Sequence, residues 1–258
     1  MAKQLSQLIK RRAALLTDRD AVRLSHHELI NGVTIDNYGD WLLLTGYRDR
    51  PTDLTPFAEG VLDEFAKLGR SPRGAVVRSR PDNLSHKQNE MNDGLIVLAG
   101  ERPPTSWNVT ERGMAFEVSF TEAGFSTGLF LDMVTGRQWV RDHAAGKDVL
   151  NLFSFTGPFS IAAALGGAKS VIEVDTSGKW LGWSQRNQEH NGVADGRIRQ
   201  RRNDAVAFIS RADPKAFDLI ICDPPSYARP KRGKRFTIRE GYRDMARHFV
   251  RCLRPGGV

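Results

Sequence analysis

Two segments constrain this chain more than anything else in it: Asp148 to Ser177 (DVLNLFSFTGPFSIAAALGGAKSVIEVDTS) and Phe217 to Tyr227 (FDLIICDPPSY). The first reads as a buried strand, a turn around Thr156 and Gly157, an Ala-rich helix, and a second strand that delivers Asp175 eighteen residues after that glycine. This order is that of a βαβ nucleoside crevice, in which a carboxylate at the tip of the second strand holds a ribose diol. The second segment is another buried strand, Asp218 to Cys222, running into Asp223, Pro224 and Pro225. An acid and two prolines make a stiff, polar lip at the carboxyl edge of a parallel sheet, where open α/β folds bind ligands. The turn Asn151-Leu152-Phe153-Ser154-Phe155-Thr156-Gly157 holds a single glycine. A dinucleotide site needs several, because the backbone must approach a pyrophosphate closely. So bulky a loop suits a ligand without pyrophosphate, such as S-adenosylmethionine, and weakens an NAD reading.

From Asp148 onward strands and helices alternate, which predicts an α/β domain with a doubly wound, mainly parallel sheet. Its readable strands are Val149 to Phe153, Val171 to Val174, a weak one near Ile198 to Arg201, and Leu219 to Cys222, followed by a helix of roughly Glu240 to Leu253. Upstream, the proline-bearing stretch Gly100 to Asn108 has the composition of a linker, so the expected domains are a small α+β unit over residues 1–105 and the larger domain over 106–258. In the small unit Leu5, Leu8, Ile9, Leu15 and Leu16 recur at helical spacing, and Val33 to Asn37 and Trp41 to Thr45 form a hairpin around Tyr38-Gly39-Asp40. Thr55 should cap a helix from Pro56 to Leu68, and strands are expected near Ala75 to Arg78 and Leu95 to Ala99. Past the linker, Ala115 to Phe120 alternates like a strand and Asp132 should cap a helix from Met133 to His143.

Composition limits the partners. With 258 residues, 40% of them hydrophobic and 26% charged, the chain can bury one full core and a smaller one. A net charge of +8 favours a polyanionic partner. Two cysteines, Cys222 and Cys252, offer no disulfide framework, which fits a reducing cytoplasm. No run approaches the roughly eighteen apolar residues of a membrane span. The segment MAKQLSQLIKRR lacks the apolar core of a signal peptide. None of the six histidines has a metal-ligand spacing, and no Ser/His/Asp arrangement can be argued, so neither a metal nor acyl transfer is expected.

LNLFSFTG, GGAKSVIEVDTS, the Asn203-Asp204-Ala205 step, FDLIICDPPSY and LRPGG resemble successive motifs of class I S-adenosylmethionine-dependent methyltransferases. Thr127-Gly128-Leu129-Phe130-Leu131-Asp132, with Gly32-Val33-Thr34-Ile35-Asp36 and Tyr38-Gly39-Asp40 upstream, is similar to bacterial 23S rRNA methyltransferases that modify cytosine C5 or guanine N7. The chain departs from that group at Met133 and Val134, where members carry a basic or amide residue. It also lacks the N-terminal RNA-binding module of the cytosine-specific members. The resemblance implies S-adenosylmethionine as cofactor, 23S ribosomal RNA as partner, and a sheet of strand order 3-2-1-4-5-7-6. Val258 falls just where the fifth strand would begin, which would leave an apolar fourth strand as an open edge. The sequence therefore reads as a truncated part of a longer protein.

Each candidate has a plainer alternative. The resemblance places Asn151, Phe153, Ser154, Phe155, Thr156, Gly157, Asp175, Thr176, Asn203, Asp204 and Asp223 around the cofactor. Asp175 could instead cap the next helix at Thr176 or Ser177, Asp204 could cap Ala205 to Ser210, and Thr156-Gly157 could be an ordinary turn. The resemblance also implies that Asp223, Pro224, Pro225 and Tyr227 stand closest to the chemistry, Asp223 accepting a hydrogen bond from the base and Tyr227 stacking on it, unless that ring merely packs its loop. Cytosine C5 becomes nucleophilic only after a thiolate adds to C6, yet Cys222 should face away from the base and Cys252 lies in a helix. In the family that the chain resembles, a C5 enzyme's cysteine is expected beyond Val258, so C5 and N7 both stay open. Of two basic tracts, Arg229, Lys231, Arg232, Lys234 and Arg235 is the better placed to grip phosphates, while Arg197, Arg199, Arg201 and Arg202 reads first as a solvated face. The expected function is methylation of a base of ribosomal RNA. Methylation of a protein or small molecule and non-catalytic RNA binding are the alternatives.

Overall fold

The apolar stripe of the N-terminal helix α1 (Ala2–Ala13) and that of α2 (Thr55–Lys67) close over one face of a five-stranded sheet. The computed structural model describes residues 2–47, 53–79, 94–122, 124, 126–225, 227–228 and 236–258. The strands are β1 (Ala21–His26), β2 (Val33–Tyr38), β3 (Trp41–Gly46), β4 (Gly74–Ser79) and β5 (Leu95–Gly100), in that spatial order, with β3 and β4 parallel and the other pairs antiparallel. Ile9, Leu24, Leu42, Leu44, Val61 and Phe65 form the centre of the core between helices and sheet. A hairpin of β6 (Trp107–Glu111) and β7 (Met114–Val118) completes the unit. The Trp107 indole donates to the Tyr38 carbonyl at 3.0 Å and its ring meets Phe120 edge-on at 4.7 Å. These contacts place residues 106–131, expected to open the second domain, within the first compact unit, Met1–Leu131. The expected cap at Thr55 is also displaced: Thr55 is the first helical residue, and Asp53 accepts its N–H at 2.9 Å.

The second unit, Asp132–Val258, follows the alternating pattern. Its elements are α3 (Val134–His143), β8 (Asp148–Leu152), α4 (Pro158–Leu165), β9 (Ser170–Asp175), α5 (Gly178–His190), β10 (Ile198–Arg202), α6 (Ala205–Arg211), β11 (Leu219–Cys222), the short pair β12 (Tyr227–Ala228) and β13 (Phe236–Thr237), and α7 (Ile238–Cys252). β10-β9-β8-β11 form a wholly parallel sheet. Asp132 lies in a single 3-10 turn, Leu131–Met133, and does not cap α3, whose N-cap is Met133. Leu150, Leu152, Val174, Ile209, Phe217 and Met245 pack one face of the sheet against α6 and α7. The outer edge of β11 is partly occupied: Ile220 donates to the Val258 carbonyl at 2.8 Å and Val258 to that of Asp218 at 3.1 Å. Arg254 holds this turn at the amino end of the sheet through Asp218 at 2.6 Å and Asp148 at 3.0 Å.

Candidate active site

From β8 the chain moves to β9 and β10 on one side, then returns to β11 on the other. The switch point of the sheet is thus between β8 and β11, and the crevice beyond their carboxyl ends is where such sheets bind ligands. Cys222 pairs with Leu152, so the turn after β8 and Asp223 after β11 leave the sheet side by side.

That turn is held in an unfavourable shape. Phe153, Phe155 and Gly157 have φ of 57°, 53° and 78°, the left-handed region that costs a residue with a Cβ about 1–2 kcal/mol. Such strain persists only where the surroundings over-determine it, and it concentrates at ligand sites. Here the Phe155 N–H donates to Asp175 Oδ2 at 3.0 Å, and its ring meets Trp180 edge-on at 4.9 Å. Ser154 N–H reaches the Val174 carbonyl at 3.0 Å, and buried Asn187 holds the Thr156 carbonyl at 2.8 Å. Asp175 Oδ1 accepts from Ser177 N–H at 2.8 Å, while the cap of α5 is the Ser177 hydroxyl, which accepts from Trp180 N–H. Partial burial raises the Asp175 carboxyl above the usual range, opposed by backbone N–H bonds from Ser177, Phe155 and Thr176.

Beneath the turn lies a polar cluster that the motif reading missed. Glu173 is fully buried and accepts from Ser184 at 2.8 and 3.0 Å and from Gln200 at 2.8 Å. Burial raises its carboxyl, and hydrogen bonds from Ser160, Ser184 and Gln200 oppose the shift. Asn151, 1% exposed, donates to Ser160 at 2.9 Å, so its side chain belongs to this floor and not to the crevice. The one sequence signal was an acid inside the apolar run VIEV, since a buried carboxylate is retained only with donors around it. Gly157 rests directly on this floor: a Cβ there would stand 2.1 Å from Ser184 Oγ and 3.1 Å from Glu173 Oε2. Gly157→Ala is therefore expected to lose about 2–5 kcal/mol of stability, from backbone strain plus overpacking. Urea denaturation checks this, and an unchanged midpoint would mean that the turn relaxes freely.

The remaining candidates divide. Thr176, Asn203 and Asp204 are exposed at the tips of β9 and β10, where Asn203 N–H donates to the Asp175 carbonyl at 3.0 Å. Asp204 caps α6, accepting from Ala207 N–H at 2.8 Å through Oδ1 alone. Asp223 is exposed, and its carboxyl is raised above the usual range by partial desolvation and then by the charge of Asp132. Pro224 is half-buried and Pro225 exposed. Tyr227 pairs through its backbone with Thr237. Ser226 and the basic tract Arg229, Lys231, Arg232, Lys234 and Arg235 lie outside the described residues. The Cys222 thiol is pushed up to about 12 by burial and by Asp223, and Cys252 is fully buried at the end of α7.

The crevice fits S-adenosylmethionine on three counts. Asp175 spends part of its acceptor capacity on backbone N–H groups and retains some for hydroxyls, since a carboxylate has about four acceptor positions. Ser154 Oγ is buried in the turn with no hydrogen-bond partner among the described residues. The turn has the bulk that a pyrophosphate cradle excludes.

The fold is that of a nucleoside-binding α/β protein with a switch point between β8 and β11. The chain belongs to the S-adenosylmethionine-dependent methyltransferase family, whose model matches residues 22–258. It is 32% identical over 249 residues to the ribosomal RNA large subunit methyltransferase I of Erwinia tasmaniensis, spanning 95% of this chain and 61% of that protein. To the ribosomal RNA large subunit methyltransferase K/L of Alcanivorax borkumensis it is 39% identical over 226 residues, 88% of this chain and 31% of that protein. It superposes with TM-score 0.79 on the crystal structure of a protein described as a methyltransferase complexed with SAH, 27% identical, over 99% of this chain and 66% of that one. The chain thus spans less than two thirds of the length of these relatives.

Proposed function

We propose that this chain transfers a methyl group from S-adenosylmethionine to a base of large-subunit, 23S ribosomal RNA. The observation that carries the reading is the adjacency of the braced turn after β8 to the Asp223-Pro224-Pro225 lip after β11. Ser154, the backbone of Phe155 to Gly157 and Asp175 would hold the cofactor, with Asn203 and Asp204 toward its adenine. Bound S-adenosylmethionine supplies an electrophilic methyl on a sulfonium. Alignment is most of the remaining work, and a stiff Pro-Pro lip limits the motion of the group that presents the base. Asp223 would accept a hydrogen bond from a base N–H and balance the positive charge that grows on a methylated ring nitrogen. The names of the relatives, the net charge of +8 and the family support RNA as partner.

Guanine N7 and cytosine C5 both stay open as targets, because the chain spans less than two thirds of its relatives and the thiols within it bear only on whether they are themselves the C5 nucleophile. Addition to C6 needs a thiolate, and Cys222, pushed up to about 12, supplies almost none near neutrality. Cys222→Ala and Cys252→Ala are each expected to keep methyl transfer within a few-fold. Loss of turnover in Cys222→Ala with cofactor binding intact, together with a covalent adduct on RNA containing 5-fluorocytidine, would make Cys222 the nucleophile of a C5 reaction. Tritium transfer from labelled cofactor to ribosomal RNA, with protein extract and small metabolites as the other acceptors, tests the function itself. Nucleoside mass spectrometry of ribosomal RNA from a deletion strain then identifies the atom.

A further inference from the structure

β10 is an edge strand with the sequence IRQRR, and Arg199, Arg201 and Arg202 on it are all exposed. Among the described residues none of the three pairs with an acid. Arg201 donates only to the Gln200 carbonyl at 3.0 Å, and Arg202 Nε to that of Thr176 at 3.2 Å. Arg199 borders a pocket at the amino end of the sheet, which Asp213 also lines without pairing with it. Arg197, just before the strand, is spent on the Ala168 carbonyl at 2.5 Å. Alternation puts Arg199 and Arg201 on one face of the strand, about 6.6 Å apart along it. Protecting an edge against pairing needs a charge or two. Two exposed guanidinium groups on one face of the edge, Arg199 and Arg201, have no acidic partner among the described residues and present positive charge that a polyanion would complement.

We propose that the β10 edge is a phosphate track for RNA flanking the methylated base. The proposal rests on the RNA reading above and adds where the strand lies. β10 stands three strand spacings, about 14 Å, from β11 and its Asp223 lip, so its contacts fall on neighbouring nucleotides and not on the base. Phosphate contacts of this kind position the substrate and carry affinity, not chemistry.

The test is binding of the chain to a fluorescein-labelled fragment of large-subunit ribosomal RNA, followed by anisotropy across a salt series, for wild type and for Arg199→Gln/Arg201→Gln. Each lost phosphate contact should reduce the slope of log Kobs against log salt by about 0.7, so the double variant should lose about 1.4. Arg199→Lys/Arg201→Lys should restore the slope, because the charge is what counts. The KM for the long RNA should rise in the Gln variant with kcat unchanged, and neither should change for an oligonucleotide of three or four nucleotides. Cofactor affinity by calorimetry and the melting curve confirm that the variant is folded. A Gln variant with the wild-type slope overturns the proposal, and so does one that keeps the slope but self-associates, which would make the arginines edge protection. If wild-type protein neither binds nor methylates RNA, the functional reading fails as well, and that outcome is distinct from the first two.

Discussion

Replacing Asp175 with Ala is expected to weaken S-adenosylmethionine binding by a factor of about a hundred or more. In the proposed cofactor site the substitution would remove a charged acceptor from two ribose hydroxyls, and hydrogen bonds to a charged group contribute about 1.5–3 kcal/mol each. Two such bonds amount to about 3–6 kcal/mol, or about 10²–10⁴ in affinity. The same change releases the Phe155 and Ser177 N–H groups, so the strained turn loses a brace at the moment it loses a ligand contact. Asp175→Asn separates the two effects. An amide oxygen can still accept one backbone N–H but brings no charge, so affinity should fall between wild type and Ala. Calorimetry on folded variants reads both, and unchanged affinity in Asp175→Ala would remove Asp175 from the cofactor site.

Asp223→Ala should leave cofactor affinity within a few-fold and lower methyl transfer by about a hundredfold or more, the usual size of a positioned acid, base or orienting contact. Equal loss of binding and turnover would make Asp223 a cofactor ligand instead. The charge on this residue also predicts a pH dependence. Its carboxyl is raised by desolvation and by Asp132, so turnover should rise with pH as Asp223 ionises, with a midpoint above that of an ordinary carboxylate. Asp132→Asn removes the repulsive charge, favours ionised Asp223, and should move that limb to lower pH. An acid limb that stays in place would show that another group titrates.

Two mistaken helix caps share one cause. Thr55 and Asp132 looked like helix caps, yet α2 begins at Thr55 with Asp53 as acceptor and α3 begins after a 3-10 turn with Met133 as its N-cap. Which nearby oxygen caps a helix depends on how the preceding loop enters, and that is set by contacts far along the chain. β1 escaped notice because a bulge between Arg23 and Ser25 breaks its alternation. β6 was obscured by the prolines before it, and Trp107 and Phe120 join the first unit through Tyr38, distant in sequence.

What the sequence alone determined was the parallel sheet, its βαβ crevice, the delivery of Asp175 to a strand tip and the choice of S-adenosylmethionine over a dinucleotide. Each depends on short-range periodicity and on how closely a backbone can approach a phosphate, and both are written in adjacent residues. What only the tertiary structure decided was the role of groups brought together across the fold. Asn151 turned inward to Ser160, Ser184 filled the space against Gly157, and Glu173 gathered donors from α4, α5 and β10. A buried carboxylate is tolerable only when several donors converge on it from separate elements. No local pattern specifies that convergence, because it exists only once the helices have packed on the sheet.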